Sequence, residues 1–226
     1  MCKKVVCFDL DDTLYKEVDF LKSGYRKVSE LVGKRYGIDT SDVYHTLLSL
    51  YFLGENPFVR LNEKYDIDNS IEDYLNVYRY HQPSISLSDD TIATLNFLRD
   101  KDVILGIITD GRITTQNQKI EALGLREWFH IDNIYINEEP THFKPNHWSF
   151  DQIMFRCFEQ YQESNLTFYY VADNPRKDFL APNQLKWGSI CLLDDGRNIH
   201  KQEFNLLKEY LPKKRVNDIR EIINII

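Results

Sequence analysis

Cysteine is scarce, with four in 226 residues. Cys2, Cys7, Cys157 and Cys191 are scattered, with no CxxC and no cluster of His with Cys. Such spacing supplies neither a disulfide framework nor a zinc site. Cys7 and Cys191 lie in apolar runs and Cys157 on an apolar helix face, so buried thiols are expected. A basic surplus is absent as well: 28 Lys+Arg against 35 Asp+Glu leave a formal charge of −7. That balance gives no electrostatic footprint for nucleic acid or for an anionic membrane. No apolar run approaches the ~20 residues that span a bilayer, and MCKKVVCFDLDD meets carboxylates before a signal-peptide stretch develops. The chain has no repeats, low-complexity tracts or Gly/Ser linkers. A cytoplasmic protein is expected, either one large domain or a core with a smaller module. In that compartment the Asn165-Leu166-Thr167 sequon has no consequence.

What the chain does have is short apolar runs alternating with helix-period segments. Val5 to Phe8, Val103 to Ile108, Ile131 to Ile136, Thr167 to Val171 and Gly188 to Leu193 read as strands. Runs apolar on both faces, with helices between them, indicate a parallel sheet covered on both sides. Phe150, Ile153, Met154, Cys157, Phe158 and Tyr161 form the stripe of a core-facing helix. Thr115 to Leu123 is a helix closed by Gly124, and Ser88 is the N-cap of one running to Arg99. The expected fold class is α/β, a doubly wound parallel sheet with right-handed crossovers.

Residues 15–87 break this rhythm. They read mainly as helices, at Phe20 to Tyr36 closed by Gly37, Ser41 to Phe52 and Ile71 to Tyr80. An ordinary βα connection is far shorter. The segment is therefore expected to be a helical cap inserted after the first strand and seated over the sheet's carboxyl edge. Residues 1–14 and 88–226 would form the α/β core. Tyrosine is frequent in the insertion, most of it expected in packing and some of it available to line a substrate pocket.

In open α/β sheets ligands bind outside the carboxyl ends of the strands. Those ends carry Asp9, Asp11 and Asp12 after the first strand, Thr109 and Asp110 after the second, and Asp173 after the fourth, with Asp178 five residues on. Lys144-Pro145 precedes the Phe150 helix. Carboxylates gathered at neighbouring strand ends repel one another unless a cation intervenes. Oxygen ligands without His or Cys select a hard ion, Mg²⁺ above others. Mg²⁺, Lys144 and the Thr109 hydroxyl together would balance the oxygens of a phosphoryl group. Taken singly, the acidic motif has a simpler reading as a turn with a helix cap, as does Asn174 N-cap with Pro175 at the first helical position.

FDLDDTL at 8–14, ITDG at 108–111, Lys144-Pro145 and VADNPRKD at 171–178 occur in order along nearly the whole chain. In this the chain resembles the haloacid dehalogenase (HAD) superfamily, in the subgroup with a helical cap after the first motif; Ala172 stands where that family commonly has Gly. The resemblance implies a HAD-like, Rossmannoid core and a Mg²⁺-dependent phosphatase acting on a small phosphorylated metabolite. It implies Asp9 as nucleophile, through an aspartyl-phosphate, and Asp11 as general acid and then general base. Thr109 and Lys144 would hold the phosphoryl oxygens, with Asp110 beside them in the substrate-binding segment. Asp9, the backbone carbonyl of Asp11 and Asp173 would ligate Mg²⁺, and Asp178 would act from behind them, through water or by orienting Lys144.

Three rivals share this core. A dehalogenase needs no Mg²⁺ and lacks the aspartate at position 11. A phosphosugar mutase would differ in cap polar residues, for which Lys22, Arg26, Arg60, Arg79 and His81 are available. A non-catalytic HAD-like binding protein would have lost motif residues, and none is lost here. Tyr15, Glu17, Asp19 and Phe20, where the chain enters the insertion, are expected to contact the leaving group. His142 and His147 flank Lys144 without a stronger assignment. Ile219, Ile222, Ile223 and Ile226 stripe a closing helix after the basic Lys213-Lys214-Arg215, and either a monomer or a homodimer is compatible with it.

Overall fold

The computed structural model describes residues 3–161 and 165–226; Cys2 lies outside them. By its internal contacts the chain divides into two compact units, Met1–Glu17 with Ser86–Ile226, and Val18–Ile85.

The first unit is built on six parallel strands: β1 (Lys3–Phe8), β2 (Ile104–Asp110), β3 (Ile134–Asn137), β4 (Leu166–Ala172), β5 (Gly188–Leu192) and β6 (Lys214–Val216). Their order is β3-β2-β1-β4-β5-β6. The chain thus winds outward from β1 to one edge, returns to the middle and winds to the other. The switch between β1 and β4 opens a crevice at their carboxyl ends, the place where such sheets bind ligands. Register is fixed across it: Cys7 lies opposite Gly106 of β2 and Tyr170 of β4. Val5 through Phe8 are fully buried, as an apolar run covered on both faces requires.

The second unit is helical. Its elements are α1 (Glu17–Tyr36), α2 (Thr40–Phe52), α3 (Pro57–Tyr65) and α4 (Ile71–Tyr80). Gly37 ends α1 at φ +71°, a conformation that glycine adopts without strain. Asn56 caps α3, with Pro57 at its first turn. That helix is absent from the sequence expectation, although Phe58 and Leu61 give it a buried i, i+3 face. Tyrosine does pack here as expected: the Tyr25 ring meets Phe58 at 6.1 Å and Tyr78 at 5.7 Å, and Phe58 meets Tyr74 at 5.3 Å.

Around the sheet run α5 (Asp89–Asp100), α6 (Ile113–Ala122), α7 (Trp148–Tyr161) and α8 (Leu180–Gln184). Ser88 Oγ accepts from Thr91 N at 3.1 Å, the cap expected for α5. The α7 stripe buries Phe150, Ile153 and Cys157 against Cys7, Tyr170 and Trp187. Cys7, Cys157 and Cys191 are buried free thiols.

Three local expectations are corrected. Ile131–Asn133 is a 3-10 turn, and β3 starts only at Ile134. The Ile219–Asn224 segment is also 3-10 and not an α-helix, opened by an Asp218–Glu221 capping box, while the basic Lys214-Arg215 begins a sixth strand. Its isoleucines are the reason for the misreading: i and i+3 spacing suits both helix types. Asn174-Pro175 starts no helix. Asn174 O accepts from the backbone N–H of both Lys177 and Asp178, forming a compact turn that brings Asp178 back toward the strand end.

Candidate active site

Asp9 follows β1 directly, and its N–H donates to Val171 O at 2.9 Å, so the β1–β4 ladder holds its backbone. Asp173 follows β4 in the same way. Together with Asp178 these form a buried group in which each residue offers a carboxylate oxygen within 4.8 Å of the others. One cation enters it. Lys144 Nζ lies 2.7 Å from Asp9 Oδ1 and 2.8 Å from Asp178 Oδ1, and donates to Tyr170 Oη at 3.0 Å. The Lys144–Pro145 peptide is cis.

The three carboxylates outnumber the cations acting on them, Lys144 and, through its charge, Lys177, and the imbalance is visible in their acidity. Burial, with the charges of Asp178 and Asp9, pushes Asp173 up to about 9. Burial pushes Asp9 to about 6, with Lys144 opposing it. Lys144 loses hydration, yet Asp178 and Asp9 hold its pKa well above that of an ordinary lysine. A buried, all-oxygen donor set with surplus negative charge fits a hard divalent cation. Asp9 and Asp173 are the side chains that would hold it, with Asp178 completing the acidic group beside Lys144.

Asp11 turns away from this group. Its carboxylate accepts from Tyr15 Oη at 2.5 Å, Gln116 Nε2 at 2.9 Å and Lys119 Nζ at 2.7 Å. Burial alone would raise its pKa, but the Lys119 charge and these hydrogen bonds outweigh burial and bring it below the ordinary range. Lys119 Nζ is also 4.0 Å from Glu17, whose burial beside Asp11 pushes it up to about 8. Thr109 is buried at the end of β2, its Oγ1 accepting from Gln116 Nε2 at 2.6 Å.

Asp110 is occupied by the protein itself. Its carboxylate accepts from Asn137 Nδ2 at 2.9 Å and Lys144 N at 3.2 Å, so it braces the segment that delivers Lys144. Asp12 sits at φ 56° and binds two backbone N–H groups, from Glu17 at 2.9 Å and Ile199 at 2.8 Å. Of the entry-segment residues, Tyr15 and Glu17 join the Asp11 cluster, whereas Phe20 packs on Tyr78 and His81 within the helical unit. His142 stacks on Trp148, and the half-exposed His147 pairs with Asp151.

Four polar residues of the site went unread in the sequence. Gln116 and Lys119 lie on α6 one turn apart, both buried on the face that also carries Ile120. A polar pair on an otherwise inward stripe was the available signal. Asn198 and Gln202 come from the loop between β5 and β6. Asn198 Nδ2 donates to Asp173 Oδ2 at 3.0 Å and Gln202 Nε2 to Asp173 O at 2.7 Å, so this loop fixes the Asp173 carboxylate. Nothing in a loop sequence marks such a contact.

Known proteins share both sequence and fold with this chain. The glyceraldehyde 3-phosphate phosphatase of Methanocaldococcus jannaschii is 24% identical over 241 aligned positions, spanning 99% of this chain and 96% of that protein. The protein of the same name from Methanopyrus kandleri is 28% identical over 204 positions, covering 80% of each. Among solved structures, the magnesium-bound HAD-hydrolase YfnB of Bacillus subtilis superposes with a TM-score of 0.62 at 17% identity, over 100% of this chain and 99% of its own. The sequence model of the haloacid dehalogenase-like hydrolases matches residues 6–189, from the first strand to the start of the fifth. The chain belongs to the haloacid dehalogenase-like hydrolase family.

Proposed function

We propose that this hydrolase is a Mg²⁺-dependent phosphatase of a small phosphomonoester, working through an aspartyl-phosphate on Asp9. The observation that carries the reading is the juxtaposition of the buried Asp9, Asp173 and Asp178, with Lys144 against Asp9 and Asp178, Asp11 two residues beyond Asp9 and Thr109 at the end of the neighbouring β2. The names of the two phosphatase relatives support the substrate class, and suggest phosphorylated trioses as the first compounds to try.

Asp9 would attack phosphorus with one carboxylate oxygen while Lys144 binds the other and limits repulsion between nucleophile and phosphate. The bond from phosphorus to the ester oxygen breaks, and that oxygen takes a proton from Asp11, which must carry one in the substrate complex although Lys119 favours its ionised form in the free site. In the second half Asp11 accepts a proton from water as the water oxygen attacks the phosphoryl-aspartate, and phosphate leaves Asp9 free. Thr109 and Lys144 would hold phosphoryl oxygens through both halves. A Mg²⁺ ion held by Asp9, Asp173 and the Asp11 carbonyl would supply charge neutralisation, with Asp178 setting Lys144 from behind. The helical unit is read as a cap that admits small substrates and excludes bulk water.

The test is phosphate release from a panel of triose, sugar, nucleotide and acid phosphates, with Mg²⁺, with EDTA, and with Asp9→Asn. Release that needs both the metal and Asp9 is the expected outcome. Turnover that survives EDTA or the substitution sinks the mechanism.

A further inference from the structure

Asp11 is gripped from the α6 side of the site. Its Oδ1 accepts from Tyr15 Oη at 2.5 Å and Lys119 Nζ at 2.7 Å, and its Oδ2 from Gln116 Nε2 and Lys119 Nζ, each at 2.9 Å. The same Gln116 amide donates to Thr109 Oγ1 at 2.6 Å, tying the two strand ends together. Lys119 is only 3% exposed. Stripping an ammonium of water is costly, and this one reaches both oxygens of the Asp11 carboxylate. Neither Gln116 nor Lys119 falls within the four motif segments at 8–14, 108–111, 144–145 and 171–178.

We propose that Lys119, together with Gln116, is a positioning residue for Asp11, fixing where its carboxyl group stands relative to Thr109 and hence how the leaving oxygen is protonated. This rests on the phosphatase reading above and adds the residues on which leaving-group departure depends. Proton transfer requires donor and acceptor within hydrogen-bond reach, and a displacement of about 1 Å costs on the order of 10²-fold in rate. An aspartate side chain without such anchors turns freely about two torsions.

The nature of the leaving group separates this role from a merely structural one. An alkyl phosphate must be protonated as its P–O bond breaks, whereas p-nitrophenyl phosphate departs as a stabilised phenolate that needs no proton. The experiment measures kcat/KM, which covers the steps through release of the alcohol or phenol, for glycerol phosphate and p-nitrophenyl phosphate. Wild type, Lys119→Met and Lys119→Arg are compared. Lys119→Met is expected to lose about 10²-fold on the alkyl ester and less than about threefold on the aryl ester, with Lys119→Arg recovering much of the alkyl loss. Similar losses on both esters, a larger loss on the aryl ester, or no loss at all would overturn the proposal. If circular dichroism shows Lys119→Met unfolded, the same alkyl-to-aryl comparison is read from Gln116→Met. Wild type without Asp9-dependent release from either ester would instead remove the phosphatase reading, and this inference with it.

Discussion

Lys144 Nζ stands 2.7 Å from Asp9 Oδ1, with both side chains almost wholly out of solvent. The pair is joined by Asp178 on the far side of the ammonium, 2.8 Å away. Lys144 therefore serves two ends: it compensates a buried acidic group and it faces the atom proposed to attack phosphorus.

Removing that cation leaves Asp9 and Asp178 buried without the ammonium they share, Asp178 keeping, among the described residues, only the Asn174 N–H. Lys144→Met is expected to lose about 3–5 kcal/mol of stability, the cost typical of breaking a buried pair from one side. Urea unfolding at neutral pH in EDTA checks this. Phosphatase activity should fall by at least about 10²-fold in the same variant, since a charge aimed at the reacting oxygens is lost. Unchanged stability would mean that the carboxylates are not ionised together.

The raised pKa values of Asp173 (about 9) and Asp9 (about 6) set a pH dependence. A carboxyl group whose folded pKa is raised gives stability that is complete below its unfolded value and is lost as pH rises through the folded value. Metal-free protein should therefore weaken between about pH 4 and pH 9 at these groups. Asp173→Asn should flatten that decline, and the stabilisation by Mg²⁺ should grow over the same range. Thermal melting across pH, with EDTA or Mg²⁺, reads both effects; a decline of equal slope in wild type and Asp173→Asn would refute the first.

His81 gives the helical unit the opposite sign. Its Nδ1 faces Tyr78 O at 2.7 Å and its Nε2 faces Ser23 Oγ at 3.0 Å, while Ser23 Oγ accepts Ser84 N at 2.8 Å. With Ser23 Oγ taking the Ser84 N–H, its own hydrogen is directed at Nε2, which suits a neutral ring. Burial lowers the His81 pKa. A depressed histidine contributes stability above about pH 6.5 that is lost as pH falls through its folded value. Between pH 7.5 and pH 5 the urea midpoint of His81→Gln should rise relative to that of wild type. A steeper acid loss in the variant would contradict this.

Gly106 allows β2 to pass beneath α7. A Cβ there would meet Ile153 Cδ1 at 2.4 Å, Cys7 Sγ at 3.0 Å and the Asn133 carbonyl oxygen at 3.2 Å. The isoleucine end can turn aside, but the backbone oxygen cannot. Gly106→Ala should cost about 1–3 kcal/mol through overpacking, seen as a lower denaturation midpoint. A neutral or stabilising substitution would show that the β2–α7 spacing has slack.

Much of this protein was determined locally. Apolar runs with no polar face read as buried strands when helices alternate with them, and acidic or hydroxyl residues at their carboxyl ends are the candidates for the crevice of a doubly wound sheet. Asp9, Thr109 and Asp173 were expected at the crevice for that reason and Lys144 and Asp178 from the order of the motifs, as were the helices whose stripe or cap lies within one continuous segment. What only the tertiary structure decided depends on residues distant in sequence. The Asp11 carboxylate could have joined the acidic group, but Lys119 and Gln116, more than a hundred positions away, draw it toward α6. The Asp173 carboxylate is held by Asn198 from a loop with no pattern of its own. Asp110, equally acidic and equally at a strand end, is engaged in bracing the Lys144 segment. A side chain's type is written in the chain, but which donor reaches it first is a matter of distance, and distances between remote residues exist only once the sheet has assembled.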